Sequence, residues 1–225
     1  MQNPLVSIFI PYYNDEAFIA DAIKSCLSQT YQNWELFLFN HASTDGSRDI
    51  ARSFDDPRIR HVDAAENLGA GSGYNLKITL PRMSGKYVKL FCADDVMKED
   101  CLEKFVQYLE NNPLTDIVFS DVEYFSKDKK LLFRVVNGVS LDRCGIGLSE
   151  LDLLKGFLYF HSYLPYSSSL IKRDKICDAY IDTTSVMLFD ITLWCSLLIN
   201  GCKIGYINAK TVLYRVSENQ MMSEK

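Results

Sequence analysis

The chain predicts an α/β protein with a mostly parallel, doubly wound central sheet and an added antiparallel hairpin. Short apolar runs rich in β-branched and aromatic residues alternate with stretches of helical period, and no linker of Gly, Ser or Pro divides them. A pair of runs between 122 and 136 breaks the alternation.

Leu5 to Pro11 is the first such run, and Asn14, Asp15 and Glu16 after it are good residues to open a helix. Ile19, Ala22, Ile23, Cys26 and Leu27 then recur at steps of three and four, before Trp34 to Phe39 reads as a second buried strand. The unit is βαβ. It repeats with a helix over Thr44 to Phe54, a strand over Arg58 to Val62, a Gly-rich loop, a helix near Tyr74 to Arg82 and a strand over Tyr87 to Phe91. A helix with Leu102, Phe105, Val106 and Leu109 on one face leads to a strand at Asp116 to Ser120. Val122 to Phe125 and Leu131 to Val136, flanking the polar Ser126 to Lys130, predict the hairpin. Beyond a mixed segment to Lys172 come a helix over Asp190 to Asn200 and strands at Lys203 to Ile207 and Val212 to Val216.

With 225 residues the chain is long enough to bury about 70 to 75% of its unfolded surface in one large domain, so no staples are required. A single domain over 1–225 is expected, whose first half, 1–120, binds and whose second, 121–225, completes a site. A 48% hydrophobic content with only 11 Gly and 6 Pro excludes a disordered or collagenous chain. Seven scattered cysteines without a C-x-x-C pair argue against a disulfide framework or zinc cluster and fit a reducing cytoplasm. No apolar run approaches the roughly 20 residues of a membrane span, and the amino end lacks a basic segment followed by an apolar one. The expectation is a protein neither secreted nor integral. A net charge of −5 gives no field for nucleic acid, and Lys127, Lys129 and Lys130 read as a hairpin tip. A polyanionic partner would need a local device, such as a bound metal.

The stretch Gly69-Ala70-Gly71-Ser72-Gly73 lacks the spacing of a dinucleotide fingerprint, and Gly85-Lys86 is followed by Tyr87 where a phosphate loop needs Ser or Thr. Asp94-Asp95 follows a buried strand at the carboxyl edge of the sheet, where open α/β folds bind ligands. Adjacent carboxylates there either hold a hard divalent cation or cap the next helix, and spacing alone does not choose.

Five segments together resemble the nucleotide-sugar motifs of glycosyltransferase family 2, inverting enzymes with the Rossmann-like GT-A fold. They are VSIFIPYYN at 6–14, NHASTDGS at 40–47, Asn67-Leu68-Gly69, GKYVKLFCADD at 85–95, and FDITLWCSLLINGCKIGYI at 189–207 followed by LYRVSEN at 213–219. Their order and spacing match over nearly the whole chain, least so between about 121 and 185. The resemblance implies that Pro11 and Tyr13 line the base pocket, with Tyr13 stacking on uracil. Asn40 and His41 fall where the family commonly carries Asp: Asn40 can donate and accept toward a pyrimidine, and His41 is expected to pack against the base. Asn67 and Asp94 belong to the same donor site. Asp94 and Asp95 are implied as the pair that holds Mn2+ or Mg2+ and meets ribose and diphosphate, because Cys92 replaces the first carboxylate of the usual metal motif and reads as a packing residue. Asp45 is read as a helix cap, His61 and His161 as structural, and Ser217 stands where many relatives have His.

Asp190 matches the general base of the family, at the start of the helix containing Trp194. The implied reaction is a single displacement in which Asp190 takes the proton of an acceptor hydroxyl while the metal offsets charge on the leaving diphosphate. The implied partners are a nucleoside-diphosphate sugar, UDP-linked, and a glycan or lipid-linked acceptor selected by the segment from Tyr124 to Lys172. The resemblance places the enzyme in glycan or cell-surface polysaccharide synthesis in the cytoplasm, with peripheral association at the inner face of the plasma membrane open to it. Relatives often carry a further helical tail, so the chain is expected to be a domain of a longer enzyme. The alternative is a non-catalytic nucleotide-sugar-binding domain, motivated by Asn40, His41 and Cys92. A nucleotidyltransferase and an NAD dehydrogenase rank lower, for want of a Gly-rich triphosphate loop after Val6 and of the dinucleotide spacing.

Overall fold

The computed structural model describes residues 3–67, 71–125, 131–132, 164–177, 181 and 189–216. Its strands are β1 (Val6–Tyr12), β2 (Trp34–Asn40), β3 (Ile59–Asp63), β4 (Tyr87–Leu90), β5 (Val96–Met97), β6 (Ile117–Phe125), β7 (Leu131–Leu132), β8 (Ser169–Lys172) and β9 (Ile204–Arg215). Its α-helices are α1 (Ile19–Leu27), α2 (Ser47–Arg52), α3 (Gly71–Thr79), α4 (Cys101–Asn111) and α5 (Phe189–Ile199), with short 3-10 turns at Leu80–Arg82, Tyr166–Ser168 and Arg173–Lys175. The strands form one sheet in the order β3-β2-β1-β4-β8-β6-β9-β5, with β7 beside β6. Strands β1 to β4 run parallel, β8 is antiparallel to both of its neighbours, and β6 and β9 are parallel.

The apolar runs bury on both faces. In β1, Ile8 and Ile10 join Ile19 and Ile23 of α1 and Leu102 and Phe105 of α4, whereas the intervening Phe9 joins Leu76 of α3 and Leu193 and Trp194 of α5. Helices on both sides of a parallel sheet explain why these strands read as continuous apolar runs rather than as alternations. Each such side chain contributes about 1.5 to 3 kcal/mol relative to exposure. Gly85, at the entry to β4, is required by close approach: a Cβ there would lie 2.5 Å from the Ser7 nitrogen. Its N–H donates instead to Ser7 Oγ at 2.9 Å.

Several boundaries differ from the expectation, for local reasons. Helix α1 begins at Ile19, not at Asn14, because Asn14 adopts the left-handed φ of 55° and the Asp15 side chain accepts the Tyr13 N–H at 3.0 Å. Gly71 already opens α3, so the Gly-rich stretch is helical in its last three residues. The two strands expected at 203–207 and 212–216 are one strand, β9, whose pairing with β6 slips on both sides of Asp121 and takes up Asn208, Ala209 and Thr211 as extra residues. Strands β5 and β8 were not foreseen. The predicted hairpin is present at its root, where Phe125 and Tyr124 pair with Leu131 and Leu132. Its remainder, with Lys127, Lys129, Lys130, His161, Leu68, Gly69 and Ser217, lies outside the described residues. Among the described residues no helix is long and apolar enough to cross a membrane.

Candidate active site

The carboxyl ends of β1 and β2 are stitched into one rim. Asn14 Oδ1 accepts the Thr44 N–H at 2.9 Å, Asp45 Oδ2 accepts the Glu16 N–H at 3.1 Å, and Glu16 Oε2 accepts the Gly46 N–H at 2.9 Å. Asp45 also accepts the Ser47 N–H at 3.0 Å as α2 begins, the helix-opening role expected of it. Asn14, Asp15 and Glu16 thus close loops instead of starting a helix.

Tyr13 stands at the mouth of this rim, 45% exposed, two residues beyond the half-buried Pro11. Its ring lies edge-on to His41 at 6.5 Å, and Phe39 meets His41 from another direction at 6.3 Å. His41 is 5% exposed, and burial lowers the pKa of its imidazole. Asn40 has both of its polar groups committed: Oδ1 accepts the Ser43 N–H at 2.9 Å and Nδ2 donates to Asp63 Oδ1 at 3.0 Å. The structure therefore places His41, rather than Asn40, beside the open tyrosine face. Asn67 lies exposed four residues past the end of β3.

Beyond β4 the chain brings three candidate ligands together. Cys92 Sγ and one oxygen each of Asp94 and Asp95 lie within 4.8 Å of one another. Asp95 is 1% exposed; its Oδ1 accepts the Arg215 N–H at 2.9 Å, while Oδ2 is buried without a hydrogen-bond partner. Burial and then Asp94 push the Asp95 carboxyl well above its ordinary value, against the influence of Ser167, Arg215 and Lys89. Burial, then Asp95 and Asp94, raise the Cys92 thiol, which keeps its proton and is a poor ligand for a hard cation. Two carboxylates, one with an unpartnered buried oxygen, suit Mn2+ or Mg2+. Asp15 joins this field: burial first, then Asp94 and Asp45, raise it to about 6 despite the Tyr13 N–H.

Asp190 is buried in the first turn of α5, where Oδ1 accepts the Ile191 N–H at 2.9 Å. It lies close enough to Cys92 and Tyr166 for its charge to raise both. Leu193, Trp194, Leu197 and Leu198 follow Asp190 at helical spacing along the same buried face of the helix, and Trp194 Nε1 donates to Leu164 O at 3.2 Å. The structure therefore sets Asp190 beside the Cys92–Asp95 cluster, although 170 and more residues separate it from Tyr13 on the other rim.

Supporting groups escaped the sequence reading. Lys89 is fully buried in β4 and donates to Ser167 O and, at 3.1 Å, to Ser169 O, placing a cation behind Asp95. Ser167 Oγ accepts the Cys92 N–H at 3.0 Å. Arg215 Nε donates to Asp94 O at 2.7 Å, so one arginine residue holds both aspartates by backbone and side chain. The Tyr166 hydroxyl is buried without a hydrogen-bond partner. The run PYSSSLI at 165–171 carried no motif, and its role comes only from pairing beside β4.

The family model described as Glycosyl transferase family 2 matches residues 7–162. The Escherichia coli UDP-Glc:alpha-D-GlcNAc-diphosphoundecaprenol beta-1,3-glucosyltransferase WfgD is 27% identical, over 100% of this chain and 82% of its own. Among solved structures, Staphylococcus aureus TarS 1-349 in complex with UDP-GlcNAc superposes with a TM-score of 0.77 at 14% identity, covering 98% of this chain and 61% of that one. The mannosyltransferase PcManGT from Pyrobaculum calidifontis, in complex with GDP-Man and Mn2+, gives 0.65 at 17% identity, covering 98% and 59%. The fold is that of these GT-A enzymes, and the family match spans more than half of the sequence: the chain belongs to glycosyl transferase family 2.

Proposed function

We propose that this protein transfers a sugar from a UDP-linked donor to an acceptor hydroxyl with inversion at the anomeric carbon, in glycan or cell-surface polysaccharide synthesis. The observation that carries the reading is the carboxylate pair at the edge of β4, with one buried oxygen unpartnered and Asp190 close behind. Asp94 and Asp95 hold the divalent cation, which supplies positive charge for the departing diphosphate. Tyr13 offers its exposed face to the base. Asp190 accepts the acceptor proton as the hydroxyl attacks, a contribution of about 10²- to 10⁴-fold in rate. WfgD, with its UDP-Glc donor and lipid-diphosphate acceptor, and the UDP-GlcNAc complex of TarS support a UDP donor. The same WfgD acceptor supports a lipid-linked acceptor and, with it, peripheral work at a membrane face. The Mn2+ of PcManGT supports the metal.

The test is a transfer and hydrolysis assay over a panel of UDP-sugars, with thermal unfolding followed in parallel. UDP at a hundred times its Kd stabilises the fold by about 2.7 kcal/mol when Mn2+ is present. Equal stabilisation in a chelator would remove the metal, and binding without transfer or hydrolysis of any donor would make the protein a nucleotide-sugar-binding domain.

A further inference from the structure

Two buried polar atoms near Cys92 have no hydrogen-bond partner in the described structure: Asp95 Oδ2 and the hydroxyl of Tyr166. The first is met by the cation in the reading above, and the second is unused by it. Tyr166 is 5% exposed, and its position is fixed from both ends of the site. On one side the next residue, Ser167, accepts the Cys92 N–H at 3.0 Å on its Oγ and offers its carbonyl to Lys89. On the other, the Tyr166 ring lies against Phe189, the residue before Asp190, with centroids 6.2 Å apart. The turn is also held by its own serines, for Ser168 Oγ donates to Pro165 O and Ser169 Oγ to Tyr166 O, each at 2.9 Å. Burial, then Cys92 and Asp190, raise the hydroxyl, so both groups stand near it and it keeps its proton. A phenol both donates and accepts, and a buried one that does neither is less stable than a phenylalanine in the same space.

We infer that Tyr166 is a specificity-determining residue whose hydroxyl pairs with one hydroxyl of the donor's sugar. The inference deepens the donor-site reading above and rests on it. In that reading the diphosphate lies on the cation held by Asp94 and Asp95, and the acceptor oxygen lies at Asp190. The sugar, whose anomeric carbon joins the two, occupies the interval between them. Cys92 belongs to the first end and Asp190 to the second, and Tyr166 borders both. A sugar hydroxyl donates and accepts as the phenol does, so one contact serves both members. Asp95 Oδ2 and the Tyr166 hydroxyl are both closed to water in this fold, and entry of the sugar nucleotide with its cation gives each of them its partner. A site built in this way discriminates sharply, because a donor without the matching hydroxyl leaves Tyr166 unserved.

The test compares wild type and Tyr166→Phe, as whole chains in Mn2+, against UDP, the best donor of a UDP-sugar panel, and the versions of that donor that each lack one sugar hydroxyl. Calorimetry gives dissociation constants, and donor hydrolysis gives kcat/KM. UDP should bind both proteins within about twofold, whereas the full donor should lose at least about tenfold on Tyr166→Phe in kcat/KM, or in Kd where no hydrolysis occurs. One deoxy donor should show the same loss on the wild type and no further loss on the variant, the signature of a shared contact. Without nucleotide, Tyr166→Phe should unfold at or above the wild-type temperature, because the hydroxyl it removes has no partner in the fold. A lower unfolding temperature overturns the inference by showing that the fold itself uses the hydroxyl. Equal losses of UDP and donor, an unchanged donor, or a further loss of every deoxy donor on the variant overturn it as well. Binding of UDP without discrimination among its sugars overturns it and leaves the donor site standing, whereas no binding by any uridine nucleotide removes the donor reading and this inference together.

Discussion

Two aspartates at the carboxyl edge of the same sheet, Asp63 at the end of β3 and Asp95 beyond β4, live in opposite environments. Asp63 receives Asn40 Nδ2 at 3.0 Å, Arg48 Nε at 3.2 Å and Arg52 Nη2 at 2.6 Å. Burial would raise its carboxyl, but Arg48, Asn40 and Arg52 outweigh it and hold the group at about 2. Asp95 is more deeply buried, its Oδ2 has no hydrogen-bond partner, and Ser167, the Arg215 N–H and Lys89 do not offset burial and the neighbouring Asp94. The first site is electrostatically complete and belongs to the scaffold. The second stays short of positive charge even with Lys89 behind it, and a fold keeps such a deficit where a ligand supplies the remainder.

The largest test of that contrast is Asp190, which belongs to the incomplete end. Asp190→Asn keeps size and capping ability but cannot take the acceptor proton. It should fold, bind donor with Mn2+ nearly as the wild type does, and lose transfer by at least about a hundredfold. Wild-type turnover in this variant would take Asp190 out of catalysis.

Next in size is the exchange of carboxylates at the two ends. Replacing both Asp94 and Asp95 by Asn should abolish the Mn2+ requirement for stabilisation by UDP, a loss of about 2.7 kcal/mol at a hundred times Kd. Asp63→Asn should leave that requirement intact and lower stability by about 1 kcal/mol, the scale of partly exposed ion pairs. If Asp63→Asn instead disturbs metal dependence, the division between scaffold and site is wrong. Tyr13→Ala, on the rim between the two, should weaken nucleotide binding by about 1 to 3 kcal/mol through lost stacking, measurable by calorimetry, with the fold unaffected.

What was legible in the sequence follows the same division. Elements whose two faces bury side chains declared themselves: β1, β2 and β4 as apolar runs, α1 and α4 by period, and α5 by length, so that Asp94, Asp95 and Asp190 fell at predictable ends. Groups that matter through a distant partner did not. Lys89 sits in the run Tyr87–Phe91 with nothing local to partner a cation, yet it is fully buried, because the carbonyls that receive it come from residues about 80 positions later. Asn75 is an ordinary mid-helix polar residue until α3 is laid against His41, 34 positions earlier. Strand β8 is four residues long and gains its identity from pairing between β4 and β6. Local period and spacing carry no signal for contacts of that kind.

The smallest expected effect is a pH dependence that sets the two ends against each other. Asp15, drawn up to about 6 chiefly by burial and then by Asp94 and Asp45, binds a proton more readily folded than in the unfolded chain, where a carboxyl sits near about 4. Its contribution is therefore fully present below about 4 and is lost as pH rises through about 6. Asp63, held at about 2, contributes in the other direction: its stabilisation is present above about 4 and is lost as pH falls toward about 2. In chelator, urea denaturation from about pH 2 to pH 7 should show the wild type losing stability between pH 4 and pH 7 relative to Asp15→Asn, which has no such ionisation. Mn2+ beside Asp94 favours the Asp15 carboxylate and should shrink that difference, while leaving the acid limb due to Asp63 unchanged. A difference between wild type and Asp15→Asn that is insensitive to Mn2+ would show that Asp15 does not sense the Asp94–Asp95 site.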